Sequence, residues 1–97
     1  AQSVKLSYMK VSAVVPIYNE NIQVLNSVLL KLQNFVDEII LVDDGSTLTA
    51  GQISKQLNII YLKHQINRGQ GAALQTGTNY AVQHGAGIIV HFDGDGQ

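Results

Sequence analysis

Ninety-seven residues with 45% hydrophobic and only 13% charged content allow one small domain with a buried core. Six Lys/Arg against seven Asp/Glu leave a net charge of −1, which gives no electrostatic draw toward nucleic acid or anionic lipid. Cysteine is absent, so disulfides, thiolate zinc sites and thiol nucleophiles are excluded. No run reaches the ~18 apolar residues of a membrane span and no signal peptide is legible, which leads us to expect a cytoplasmic chain, with membrane association of an intact protein as the alternative.

Residues 1–8 carry no pattern and read as a tail before Met9. Val11 to Val15 is a first strand, expected to stop at Pro16, which cannot donate to a central ladder. Pro16-Ile17-Tyr18-Asn19-Glu20 then reads as a loop, with Asn19 or Asn21 as N-cap. Ile22, Leu25, Val28, Leu29 and Leu32 follow at helical spacing, so an amphipathic helix covers roughly 21–34. Ile39 to Val42 is a second buried strand, ending in Asp43-Asp44-Gly45-Ser46. A weaker helix at about 49–57 leads to a third strand at 58–63. Asn67-Arg68-Gly69-Gln70-Gly71-Ala72-Ala73 opens a helix that runs to about His84, with Ala73, Leu74, Gly77, Tyr80 and Ala81 on its inner face. A fourth strand, 88–92, ends abruptly in Asp93-Gly94-Asp95-Gly96-Gln97.

This order predicts a Rossmann-like three-layer α/β/α sandwich: a parallel sheet, right-handed crossovers and helices on both faces. Ligands of such sheets bind beyond the carboxyl ends of the strands, where the winding reverses. Five of the seven acids (Glu20, Asp43, Asp44, Asp93 and Asp95) follow apolar β-like runs and so gather at that edge. Asp93 and Asp95, two apart in extended backbone, project to one side. With the Gln97 carboxamide they form a hard-oxygen set suited to Mg²⁺ or Mn²⁺. The bland alternative is a polar Asp-Gly turn. The histidines read as structural: His64 and His84 as solvent-facing or C-capping groups at element ends, His91, on the same side as Asp93, as a packed group or a support for the metal-binding acids rather than a ligand.

Several nucleotide and ion motifs are absent. There is no GxxxxGK[ST], and Gly69-Gln70-Gly71 has Leu74 where a dinucleotide fingerprint needs its third glycine. Asp93 and Asp95 are followed by Gln97, not by an EF-hand ligand. A strand followed by Asp93-Gly94-Asp95-Gly96 also resembles the aspartate-nucleophile phosphatases, but that family needs further motifs after this one.

All four loops together resemble the family 2 glycosyltransferases of the GT-A fold, and within them the polyprenyl- or dolichyl-phosphate sugar synthases, from about Met9 to Gln97. The residues that carry the resemblance are Pro16 to Glu20, Val42 to Ser46, Asn67 to Ala73 and Asp93 to Gln97. It implies that residues 9–97 are the N-terminal, nucleotide-sugar-binding part of an inverting, metal-dependent transferase using a UDP- or GDP-sugar, with a polyprenyl phosphate among the acceptors. By position it implies that Pro16, Tyr18 and Glu20 line the nucleotide pocket and that Asp44 and Asp43 bind base or ribose. Gly69 and Gly71 then let the loop approach the donor, Asp93 faces the diphosphate, and Asp93, Asp95 and Gln97 hold the metal. Two positions depart from the pattern: Leu48 stands where an acid is common, and Gln70 where lysine is common. The resemblance puts the acceptor half and its catalytic base after Gln97, so these residues alone are expected to be inactive. It also leaves the fourth strand as an open apolar edge, from which self-association is expected, as sedimentation equilibrium would show. The alternative function is a non-catalytic module that holds a nucleotide and nothing else.

Overall fold

The computed structural model describes residues 9–46 and 59–92. The expected helix at 49–57, the first residue of the third strand and the whole Asp93–Gln97 motif lie outside these residues. The elements are β1 (Val11–Ile17), α1 (Ile22–Leu32), β2 (Glu38–Asp43), β3 (Ile59–Lys63), α2 (Gln70–Gln83) and β4 (Ile88–His91). All strand pairs are parallel, in the order β3-β2-β1-β4. The α/β sandwich with a parallel sheet is therefore present.

Side-chain alternation sends each strand's apolar residues to both faces. Ala13, Val15, Ile17, Ile39 and Leu41 pack on Leu25, Leu29 and Leu32 of α1. Val14, Ile40 and Val42 pack on Ala73 and Ala81 of α2, with Leu74, Tyr80 and Ile89 at the margin. The small residues of α2 let it lie close to the sheet. A Cβ on Gly77 would overlap the Val14 side chain.

Asn21 is the cap that starts α1; its Oδ1 accepts from the N–H groups of Gln23 (2.9 Å) and Val24 (3.1 Å). At the other end of the chain His84 closes α2, as expected, with its N–H bonded to carbonyls of the last turn.

One boundary differs from the sequence reading. β1 does not stop at Pro16 but continues to Ile17, with Pro16 opposite Val42. The reason lies in the phase of the ladder. The carbonyls of Val11 and Ile17 accept from Asp37 and Asp44 on the β2 side, whereas those of Lys10 and Val14 accept from Ile88 and Phe92 on the β4 side. Pro16 is in phase with Val14, so its missing N–H faces the side where β4 has already ended. No bond to β2 is lost.

β4 is the outer strand of the described sheet, with Ile88, Val90 and Phe92 exposed.

Candidate functional site

Parallel strands deliver their carboxyl ends to one edge, and the loops after β1, β2 and β3 meet there. After β1, Pro16 is buried and Tyr18 is 49% exposed, while Asn19 takes a positive φ of 53° to turn the chain into the Asn21 cap. Glu20 follows, half-buried. The apolar run of β2 carries Asp43 and Asp44 into the interior, where they are 0% and 3% exposed.

Neither carboxylate is left bare. Asp43 Oδ1 accepts from the Ser46 N–H at 2.9 Å and from the Ser46 hydroxyl, and its Oδ2 accepts from the Tyr61 hydroxyl at 2.5 Å. Burial, and then the bond to Asp43, push the Tyr61 phenol well above its usual value. Asp44 Oδ1 accepts from the Arg68 N–H at 2.9 Å and lies 2.7 Å from His64 Nδ1; its Oδ2 accepts from the Gly69 N–H at 2.7 Å. Burial opposes the charge on Asp44. The bond from His64 and the two backbone N–H groups outweigh it, holding the carboxyl below its usual range.

The two acids therefore divide the work. Asp43 braces the turn after β2 against β3, and Asp44 ties the segment that enters α2 to the end of β2. A carboxylate offers about four acceptor positions, so with three donors on each, one position remains on each among the described residues.

Glycines make this crossing possible. Gly45 has φ +87°, and a Cβ on it would stand 2.6 Å from the Asn67 nitrogen and 2.7 Å from the Ile66 carbonyl carbon. Gly69, with φ 100° and ψ 159°, enters a region that only glycine adopts readily, and it caps α2 without a side chain. A Cβ on Gly69 or Gly71 meets no described atom within 4 Å.

The structure brings Asp43, Asp44 and Gly69 into direct contact with one another's loops and leaves Tyr18 and Gly71 presented outward. Asp93, Asp95 and Gln97 lie outside the described residues. Among those residues no group of three His, Asp or Glu side chains gathers as a metal site. His64 is a correction: it is neither solvent-facing nor a C-cap, but 8% exposed, with Nε2 2.8 Å from Thr76 Oγ1. Sequence reasoning missed it because an imidazole after a strand looks like any polar turn residue. Its place directly after β3, at the same edge as Asp44, was the available signal. His91 is exposed rather than packed, with Nε2 3.2 Å from Thr78 Oγ1.

Residues 12–97 match the pattern described as glycosyl transferase family 2. The chain belongs to that family. Two relatives extend the match. A UDP-N-acetylglucosamine–dolichyl-phosphate N-acetylglucosaminyltransferase of Methanococcus voltae is 37% identical over 111 aligned positions, covering 96% of this chain and 42% of its own length. An uncharacterized protein of Methanocaldococcus jannaschii is 35% identical over 88 residues, covering 91% of this chain and 36% of its own. The chain thus spans about two fifths of the length of these relatives. No helix among the described residues is long and apolar enough to cross a membrane.

For this family 2 chain the Asp44 carboxyl gives an acid-stability signature. Its folded pKa is lowered, so its contribution is complete above the unfolded value of about 3.9 and is lost as the pH falls from there through the lower folded value. Asp44→Asn cannot supply that term, so its thermal midpoint is expected to fall less steeply below about pH 4 than the wild type's. Parallel midpoint curves from pH 6 to 2 would refute the assignment.

Proposed function

We propose that this chain supplies the donor site of a glycosyltransferase: it holds a nucleoside diphospho-sugar, UDP- or GDP-linked, for transfer of the sugar to an acceptor. The observation that carries the reading is the strand order. β2 and β4 flank β1 on opposite sides, so the crevice beyond the β1 carboxyl end is the position where open α/β sheets take ligands. Exposed Tyr18 follows β1, and the buried Asp43–Asp44 pair ends β2, at that edge. β4 also ends at that edge, immediately before Asp93 in the sequence.

The parts then have separate tasks. Pro16, Tyr18 and Glu20 form a wall for the base and ribose. The acceptor position left on Asp44 takes a base N–H, a donor it can accept without releasing Gly69. Gly69 and Gly71 open the start of α2 to the phosphates, where helix N–H groups favour negative charge. Two carboxylates and a carboxamide oxygen from Asp93, Asp95 and Gln97 suit a hard divalent cation, Mg²⁺ or Mn²⁺. Such a cation stabilises the charge that develops on the leaving diphosphate.

In the reaction an acceptor oxygen attacks the anomeric carbon from the face opposite the diphosphate. The carbon–oxygen bond to the diphosphate breaks, its electron pair leaves with the nucleoside diphosphate, and the configuration inverts. The dolichyl-phosphate acceptor named for the M. voltae relative makes a polyprenyl phosphate the acceptor we favour here. An acceptor of that class needs no proton removed, because the phosphate oxygen attacks as an anion.

Calorimetric titration with UDP and with GDP, in Mn²⁺ and again in EDTA, tests the reading. Tighter binding with metal, erased by Asp95→Ala, is the expected result. Identical curves with and without metal would leave the Asp-Gly motif a polar turn and refute the metal-dependent site.

A further inference from the structure

His64 is the one imidazole that the described structure buries, and both its ring nitrogens are in use. A carboxylate only accepts hydrogen bonds, so Nδ1 carries the proton that faces Asp44 Oδ1 at 2.7 Å. Nε2 lies 2.8 Å from the Thr76 hydroxyl oxygen. The ring thereby joins three elements: the end of β2 through Asp44, the end of β3 through its own backbone, and α2 through Thr76. Its own N–H donates to the Asp43 carbonyl at 2.8 Å, which fixes the ring beside the acid pair.

Carboxylate, imidazole and hydroxyl in series have the order of a hydrolytic triad. Thr76 does not fit that role. It lies in the middle of α2, where the surrounding N–H groups are used in the helix and none is available to stabilise an oxyanion.

The other side of Asp44 shows what the series does. The carboxylate that receives His64 also receives the N–H groups of Arg68 and Gly69, the two residues immediately before α2. Gly69 has no side chain, and its φ of 100° belongs to a conformation with many alternatives for glycine. The Gly69 carbonyl is held by the Ala73 N–H at 3.1 Å, and its N–H is held by Asp44 at 2.7 Å. The Asp44 carboxylate can swing about its own side-chain bonds, and His64 is the side chain that stops it.

We propose that His64 is a positioning residue: acting through Asp44, it sets the Arg68–Gly69 segment and hence where the start of α2 and the Arg68 side chain stand in the crevice. Resting on the proposed donor site, this makes His64 a determinant of nucleotide affinity without contact to the nucleotide.

Two substitutions separate positioning from mere filling of space. Asn carries an amide nitrogen at the distance of Nδ1 and keeps the Asp44 bond while losing Thr76. Gln carries its amide at the distance of Nε2 and keeps Thr76 while losing Asp44. Amide exchange of Arg68 and Gly69, followed by NMR, reads the loop directly, and titration with UDP or GDP in Mn²⁺ reads the site. His64→Gln is expected to speed exchange of both amides and to weaken nucleotide binding, each by about tenfold or more, as loss of a hydrogen bond to a charged group implies. His64→Asn should stay within about threefold of the wild type in both. Equal behaviour of the two variants, or unchanged loop exchange in His64→Gln, would overturn the proposal. A wild-type protein that binds no nucleotide would refute the donor-site reading alone; the exchange comparison would still decide what His64 positions.

Discussion

Gly45→Ala is expected to be among the most damaging single-methyl changes in the described structure. Two penalties coincide there. The φ of +87° costs a residue with a Cβ about 1–2 kcal/mol. The new Cβ would also stand 2.6 Å from the Asn67 nitrogen and 2.7 Å from the Ile66 carbonyl carbon, both backbone atoms that cannot rotate away. Moving that segment adds about 1–3 kcal/mol. The sum, about 2–5 kcal/mol, is a large part of the stability of a small domain.

Gly85 supplies the control. It has the same φ of +87°, yet a Cβ there meets no described atom within 4 Å. Gly85→Ala should therefore show only the conformational cost, and the difference between the two urea midpoints measures the close approach of the two loops. Because the displaced atoms belong to residues just before Arg68 and Gly69, Gly45→Ala should weaken nucleotide binding as well, while Gly85→Ala should not. Equal losses in stability at the two positions would show that the 66–69 segment yields freely, contrary to a loop held by Asp44.

Asp43→Ala is the second large effect. The side chain is fully buried and accepts three hydrogen bonds, from the Ser46 N–H, the Ser46 hydroxyl and the Tyr61 hydroxyl. Truncation removes the acceptor for all three. A buried donor left unpaired costs about 1–3 kcal/mol, so the loss should reach about 3 kcal/mol or more even if one hydroxyl finds a new partner. Tyr61→Phe removes the donor instead, leaving Asp43 held by Ser46, and should cost about 1 kcal/mol. Both single variants lose the same Tyr61–Asp43 bond, so in the double variant the two losses should combine to less than their sum. Asp37, whose carboxylate accepts from the Val11 N–H at an exposed position, should tolerate the same truncation far better. A loss at Asp43 no larger than that at Asp37 would mean that water replaces the missing acceptor, and the brace between β2 and β3 would have to be abandoned.

These effects share a cause. The apolar content of β1 and β2 makes the sheet, but the loops beyond it contain few apolar residues and cannot be held by burial. Two aspartates take over that task, each at the last buried step of β2 and its continuation. A single strand end thus organises the turn after itself, the hydroxyl of the next strand and the entry to α2.

What the sequence determined by itself was local. Val11, Ala13 to Val15 and Ile39 to Val42 are runs long enough only for buried strands, and the spacing of Ile22, Leu25, Leu29 and Leu32 admits only a helix facing one side. Alternation of the two required a parallel sheet with helices on both faces, and a parallel sheet required the acids to meet at one edge. The family resemblance was legible for the same reason, since its four motifs sit at strand ends.

The partners of those acids were decided only by the tertiary structure. No periodicity distinguishes a histidine that caps a strand from one that is buried against Asp44. The choice depends on where the segment from residue 64 to 69 crosses the end of β2, a contact between residues 20 to 25 positions apart. The extension of β1 through Pro16 was hidden for a related reason. A proline ends a strand only if its missing N–H faces a neighbour, and which side carries the neighbour is a property of the assembled sheet. Hydrophobic pattern acts residue by residue along the chain, whereas hydrogen-bond satisfaction of buried polar groups is settled only when separate segments meet.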